Sequence, residues 1–223
     1  DVPSGYIAWK KRAHRWLRGD WQLAAFLKRN FRDKDGNIRK NHLSSVTKYK
    51  IRSNMARGLV LFEICMLLLL GSFYRPVFWV GISLLLLNSF LPPVISTLFA
   101  IFRAKERQGL GKFYCSSGFE VVTAVDMALT NIDAVVRTLY RMKKQKRLLE
   151  WQTAFQAESL NKNSLKYFWA NMWRSVLCGA VIAVIGCIFG VYGAVLVLLI
   201  TLGAPFLAFA MSRPHNQMSY IPE

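Results

Sequence analysis

Carboxylates are scarce in this sequence. Twelve Asp and Glu stand against 30 Lys and Arg in 223 residues, and no two are placed to share acid and base work. Histidine is scarcer still, with His14, His42 and His215 scattered along the chain. The four cysteines, Cys65, Cys115, Cys178 and Cys187, form no CxxC pair and no metal-ligand spacing. Three of them fall in apolar runs, so they read as small apolar residues of a reduced compartment. Gly-rich phosphate loops, HExxH and GxSxG are all absent. These absences exclude a self-contained P-loop enzyme, zinc protease or serine hydrolase. There is also no initiator Met and no signal peptide. Opening at Asp1, the chain reads as a piece of a longer protein.

What the sequence has is positive charge and apolar residues, kept apart. The net charge is +18, yet 53% of residues are hydrophobic and the mean hydropathy is +0.25. Of the 30 basic residues, 15 lie in 1–57 and 13 in 103–174, which leaves Arg75 and Arg213. Long uncharged runs fill the intervals. Polytopic membrane proteins distribute charge in this way, with basic segments meeting anionic headgroups on the cytoplasmic side. No RNA or DNA motif accompanies the charge, so it does not point to nucleic acid.

The expected fold is all-α, with about four transmembrane helices in two hairpins and amphipathic helices at the interface. Five segments follow: 1–57 with two interfacial helices, a hairpin at 58–102, a cytoplasmic amphipathic segment at 103–168, a second hairpin at 169–211, and a tail at 212–223. Residues 5–29 predict an aromatic, basic helix with a break near Gly19. Asp33–Asn37 reads as a turn. Leu43–Arg57 predicts a surface helix capped by Ser44 or Ser45. Gly58–Tyr74 predicts a short first span, interrupted by Glu63, which is read as a carboxylate reaching the interface or paired in the bundle rather than as a site. Pro76–Phe102 predicts a second span that Pro92-Pro93 kinks or ends. Phe119–Phe155 predicts a long helix with two stripes. Val121, Val125, Ala128, Ile132, Val135, Leu139 and Met142 form the apolar one. Asp126, Thr130, Asp133, Arg137, Arg141 and Lys144 form the polar one, with Asp133 and Arg137 in a favourable i,i+4 order. Trp169–Phe189 and Tyr192–Met211 predict the last two spans, anchored by Trp169 and Trp173 with Arg174 snorkelling. Because the hairpin turns carry almost no basic residues, both termini are expected in the cytoplasm.

One segment combines two chemistries. Arg12–Gln22 reads RAHRWLRGDWQ. Trp16 and Trp21 supply flat faces on which sugar rings stack, and Arg12, Arg15 and Arg18 supply forked donors that suit a diphosphate. The same composition also makes an ordinary interface helix with Trp anchors, and composition alone leaves both readings open.

Arg12–Trp16 fits the (Q/R)xxRW pattern of membrane-embedded processive glycosyltransferases. The longer HRWLRGDWQ (His14–Gln22) resembles the end of the glycosyltransferase domain in the cyclic β-1,2-glucan synthase family. Asn131–Glu158, NIDAVVRTLYRMKKQKRLLEWQTAFQAE, resembles a second segment of that family, and Thr47–Val60, TKYKIRSNMARGLV, a third. The resemblance implies a UDP-glucose-dependent inverting glucosyltransferase of the bacterial inner membrane that polymerises a β-1,2-glucan. The implied partners are UDP-glucose, a glucan acceptor, the bilayer and the rest of the same polypeptide. On this resemblance Trp16 would stack on the acceptor's terminal glucose and Arg15 would offset leaving-group charge. Arg12 stands where relatives often carry Gln. His14, Arg18, Asp20 and Trp21 complete the substrate-binding set, Asp20 as a partner of Arg18 or Arg15. Mg²⁺ or Mn²⁺ is implied, but its DxD ligands and the catalytic base would precede residue 1, so no catalytic or metal residue is assigned here. Two further readings stay open: a non-catalytic membrane-anchoring module and, more weakly, a transporter.

Overall fold

The computed structural model describes residues 5–32, 36–103, 110–144 and 164–213. Seven helices are seen among them: α1 (Tyr6–Gln22), α2 (Ser45–Arg57), α3 (Val60–Gly71), α4 (Arg75–Arg103), α5 (Leu110–Lys144), α6 (Leu165–Ile188) and α7 (Ala194–Met211). A short 3-10 turn at Leu23–Leu27 follows α1. The polar segment behind it forms a small antiparallel hairpin, β1 (Asn30–Arg32) with β2 (Ile38–Lys40), in which the backbone of residue 31 pairs with that of residue 39. Gly36 takes φ +79° there, a left-handed value that glycine adopts without a side-chain clash. The Asn41 amide holds the base of the hairpin by donating to the carbonyls of Phe26 and Lys28.

The helical fold follows the sequence pattern, with four adjustments. The first helix runs unbroken through Gly19 and stops at Gln22, because Leu17 and Trp21 on either side of the glycine pack into a cluster with Leu59, Ala134 and Val135. The helix at α3 has 12 residues, about 18 Å at 1.5 Å per residue, and cannot cross a bilayer alone. It becomes long enough only together with α2, across a bend of 42°. Pro92-Pro93 does not end its helix, since α4 continues to Arg103. The hydroxyls of Ser96 and Thr97 donate to the Pro92 and Pro93 carbonyls in the following turn. The long helix α5 begins at Leu110, nine residues ahead of Phe119, and the part of the reading beyond Lys144 lies outside the described residues.

Three helices are long and apolar enough to span a membrane, Arg75–Ala100, Leu165–Ile188 and Ala194–Met211, and the bent α2–α3 pair makes up to four. At most a third of each of the three is buried within the chain, so the remainder offers apolar surface suited to lipid. Their pairings rely on small residues. Gly71 packs on the backbone of Phe78 in the α3–α4 turn, and Gly179 of α6 packs on Thr201 of α7. A side chain at either glycine would collide with its neighbour. Helix α5 crosses the middle of the molecule and touches α1, α3, α4, α6 and α7. Its apolar residues Val125 and Ala128 enter the core with Cys65, Leu68, Phe78, Ile182 and Val197. Glu63 is exposed in the first turn of α3, just after the bend. At the far end of the chain the Ser212 hydroxyl accepts from the Tyr6 backbone N–H at 2.9 Å, so α1 begins where α7 finishes.

Candidate functional site: the two faces of the first helix

Helix α1 lies along α5, and its first half meets the polar stripe of α5, while Leu17 and Trp21 further on pack beside Ala134 and Val135. Tyr6 Oη donates to Asp126 Oδ2 at 2.8 Å, and Lys10 Nζ donates to Asp126 Oδ1 at 2.7 Å. Lys10 Nζ also donates to the Asn171 carbonyl of α6 at 3.0 Å. One turn on, His14 Nε2 meets Asp133 Oδ2 at 3.0 Å. Asp133 Oδ2 also takes Arg137 Nε at 2.7 Å. These residues repeat at i, i+4 on α1 and at i, i+7 on α5, the spacings that keep side chains on one face of a helix. Asp126 is 3% exposed and Lys10 15%, so the pair is largely withdrawn from water and its hydrogen bonds replace hydration.

Burial shapes the titration here. The Tyr6 phenol is pushed well above its ordinary value by burial and by the negative charge of Asp126. Burial pulls the His14 imidazole below its ordinary value, and Asp133 only partly opposes this. At neutral pH the ring is therefore uncharged, and its Nε2–H donates to the carboxylate. Burial would raise Asp133, but the hydrogen bonds of Arg137 and His14 and the charge of Arg137, joined by that of His14 once acid protonates it, more than reverse that and leave it below the usual carboxylate value.

Between α1, α5 and α6 lies an open cleft of ≈ 470 Å³. Ile7, Lys10, Lys11, His14, Arg15 and Arg18 line it from α1. Asp126, Leu129, Thr130, Asp133, Arg137 and Arg141 line it from α5, and Ala170, Asn171, Trp173 and Arg174 from α6. Lys11 Nζ donates to Tyr167 Oη at 2.9 Å on the same side.

The seven substrate-binding residues expected from sequence do not share one face. His14, Arg15 and Arg18 line the cleft. Trp16 lies on the other side of α1, since at about 100° per residue it is half a turn from Ile7, His14 and Arg18. It is 62% exposed, and the Arg12 guanidinium lies 4.5 Å over its ring, a cation–π contact that steadies both groups. Asp20 follows one turn later on that outer face. Burial raises its carboxyl above the ordinary value, against the pull of Arg57. Trp21 packs beside Leu17, Ala134 and Val135, and its indole N–H is buried without a hydrogen-bond partner among the described residues. Sequence reasoning had not singled out Tyr6, Lys10 or Asn171 as parts of this site. The i+7 spacing of Asp126 and Asp133 was visible, but nothing in it named α1 as the partner.

The Thr47–Val60 and Asn131–Glu158 segments meet α1 as well. Asn131 Nδ2 donates to the Gly58 carbonyl at 2.8 Å, and Gly58 sits directly under Leu17. Residues 145–158 of the second segment lie outside the described residues.

No protein-family model matches the chain. Among curated proteins it is similar to the cyclic beta-(1,2)-glucan synthase NdvB of Rhizobium meliloti (strain 1021), with 28% identity over 191 residues. That alignment covers 78% of this chain and 6% of the relative, so the chain corresponds to a small part of that protein. The link is a distant one.

Proposed function

We propose that this chain is the acceptor-side helix and membrane module of an inverting glycosyltransferase that polymerises glucose from UDP-glucose into a cyclic β-1,2-glucan. The similarity to a cyclic glucan synthase carries the reading. The outer face of α1 supports it: Trp16 offers an exposed, Arg-steadied aromatic plane on which the terminal glucose of the acceptor stacks. Arg12 and Asp20, one turn to either side, bond to sugar hydroxyls. Arg15, next to Trp16 in sequence but lining the cleft, adds positive charge against the departing diphosphate. On the other side, Lys10 and His14 hold the helix in place through Asp126 and Asp133 of α5, and Arg18 lines the cleft.

Among the described residues no three of His, Cys, Asp and Glu stand together as metal ligands. The described residues therefore do not fit an Mg²⁺ or Mn²⁺ site, and the ligands of such an ion are proposed to lie outside this chain, as is the catalytic base. In this proposal the basic face of α1 and α5 lies on the cytoplasmic side of a bacterial inner membrane, where UDP-glucose is available.

The test is incorporation of radiolabelled UDP-glucose by membranes carrying the full-length protein, with linkage analysis of the product. Trp16→Ala is expected to abolish polymer synthesis while the protein stays folded in the membrane. Normal glucan output from that variant would overturn the stacking role and favour the anchoring reading, which the burial of Lys10 against α5 supports. A product without β-1,2 linkages would overturn the substrate assignment.

A further inference from the structure

The outer face of α1 carries a second aromatic ring besides Trp16. Trp9 stands seven residues before it, and the two are 44% and 62% exposed. Seven residues advance a helix by about 10.5 Å and return it to within about 20° of the starting direction. The two indoles therefore project from one face, in line along the axis. The next step of the same stripe is Leu23, where the helix ends, and it offers no ring. The row of rings runs from Trp16 back toward the start of α1.

Each ring is braced from within the chain. Trp9 stacks on Tyr6, with centroids 6.3 Å apart and 27° between the planes. Tyr6 is itself fixed, since its hydroxyl donates to Asp126 at 2.8 Å and Phe119 meets its ring nearly at right angles. Trp16 is braced by the Arg12 guanidinium, 4.5 Å over its ring. A ring already held in place spares a stacking ligand part of the ordering cost of binding. The surroundings are polar as well: Arg12 lies between the two tryptophans along the helix, and Asp20 follows Trp16 by one turn. The spans differ, for their exposed faces are mostly aliphatic, as at Leu87 and Leu91 of α4 and Leu199 of α7. Aliphatic surface suits lipid chains. Flat rings set among hydrogen-bonding groups suit a pyranose, whose C–H face stacks while its hydroxyls bond sideways.

We propose that Trp9 is a second glucose-stacking subsite, which holds interior units of the acceptor glucan while Trp16 holds its terminal glucose. The inference rests on the acceptor reading of Trp16. The gap between the rings is one that a short run of linked glucose units covers. The acceptor chain then lies along the outer face of α1 and leaves it at Tyr6, whose backbone N–H is bonded to Ser212 at the end of α7. That helix is long and apolar enough to cross a membrane, so the chain is led toward the membrane end of the molecule. Trp9 touches substrate away from the reacting atoms. It adds grip on long acceptors and nothing to the binding of short ones, which reach Trp16 alone.

The test is calorimetric binding of linear β-1,2-linked gluco-oligosaccharides, a disaccharide and a hexasaccharide, to the purified full-length protein. The native protein is expected to bind the hexasaccharide more tightly. Trp9→Ala is expected to weaken the hexasaccharide about fivefold, the order of one aromatic contact, and to leave the disaccharide unchanged. Trp9→Leu keeps apolar cover over Tyr6 without a ring and is expected to show the same loss, so the result does not hang on how well Trp9→Ala folds. Trp9→Phe keeps a ring and is expected to lose less. Trp16→Ala is expected to lose both sugars. Unchanged hexasaccharide binding in Trp9→Ala and Trp9→Leu, with both sugars lost in Trp16→Ala, overturns the second subsite and leaves the acceptor reading standing. Equal weakening of the two sugars in the Trp9 variants also overturns it, since that marks a role in holding α1. Unchanged binding of both sugars in Trp16→Ala overturns the acceptor reading itself. Quenching of Trp9 by brominated phospholipid in vesicles, read as the difference between the native protein and Trp9→Phe, sets the ring in lipid and overturns the sugar assignment.

Discussion

Two seams hold this molecule together, and they use opposite chemistry. Along the α1–α5 seam, Tyr6, Lys10 and His14 meet Asp126 and Asp133 through charged hydrogen bonds. Along the α6–α7 seam no charge is involved: Gly179 sits on Thr201, Gly186 on Ala194, and Ser175 and Thr201 return their hydroxyls to their own helices. The first seam carries polar groups on both sides, so its specificity is electrostatic and responds to pH. The second lies between apolar spans, where lipid is as apolar as the protein. Association there rests on close contact of small residues. A polar seam fails when one partner is removed; an apolar seam fails when something is added.

That contrast can be broken from either side, and the largest effect is expected at Asp126. Asp126→Leu leaves the Lys10 ammonium buried beside Asn171 without its carboxylate. Removing one member of a buried pair typically destabilises by about 3–5 kcal/mol, to be read from thermal or denaturant unfolding of the membrane-embedded protein. Lys10→Met combined with Asp126→Leu is expected to recover much of the loss, because no charge is then stranded. Gly179→Val tests the other seam. It forces α6 away from Thr201 and is expected to lose about 1–3 kcal/mol, the usual range for overpacking. No second substitution of charge rescues it.

The pH dependence separates the seams without any loss of side-chain volume. The folded-state pKa of His14 is below its unfolded value, so the unfolded chain takes up a proton first as pH falls. Stability is therefore full above the ordinary histidine value and declines as pH drops below it. Asp133, also depressed in the folded state, adds a second decline below the ordinary aspartate value, in the same direction. His14→Gln is expected to flatten the first decline, and Gly179→Val to leave its shape unchanged. The unfolding midpoint measured against pH decides this. Trp16→Ala is expected to have the smallest effect on stability, within about 0.5 kcal/mol for an exposed position. A larger loss would mean that the outer face of α1 packs against something, and would blur the distinction between holding and binding.

The helices were legible in the sequence for simple reasons. Charge-free runs marked α4, α6 and α7, because a bilayer excludes uncompensated charge. Ser44 was legible as a cap, and its hydroxyl accepts from the Thr47 N–H at 3.2 Å. The two stripes of α5 were legible because side chains three and four apart share a helix face. Their destinations were not. The polar stripe carries Asp126, which is among the most buried side chains in the structure, because α1 supplies Lys10 and Tyr6 to it. No local pattern in residues 6–22 distinguishes that face from the outward one, as both are rich in Lys, Arg and aromatic rings. The same ambiguity grouped Trp16 with His14 as one site, though they point to opposite sides of α1. Similarly, Gly58–Tyr74 looked like a whole span, since hydropathy does not register the change of direction at Gly58.

The sequence by itself determined where apolar segments begin and end, which segments carry charge, and that the chain is helical; each is a property of neighbouring residues and their water or lipid surroundings. Only the tertiary structure decided which faces meet. It turned the polar stripe of α5 inward onto α1, bent α2 against α3, and divided His14, Arg15 and Arg18 from Arg12, Trp16 and Asp20. Those outcomes depend on pairing residues more than a hundred positions apart, such as Lys10 with Asp126. A buried charge is stable only where its partner is delivered in three dimensions.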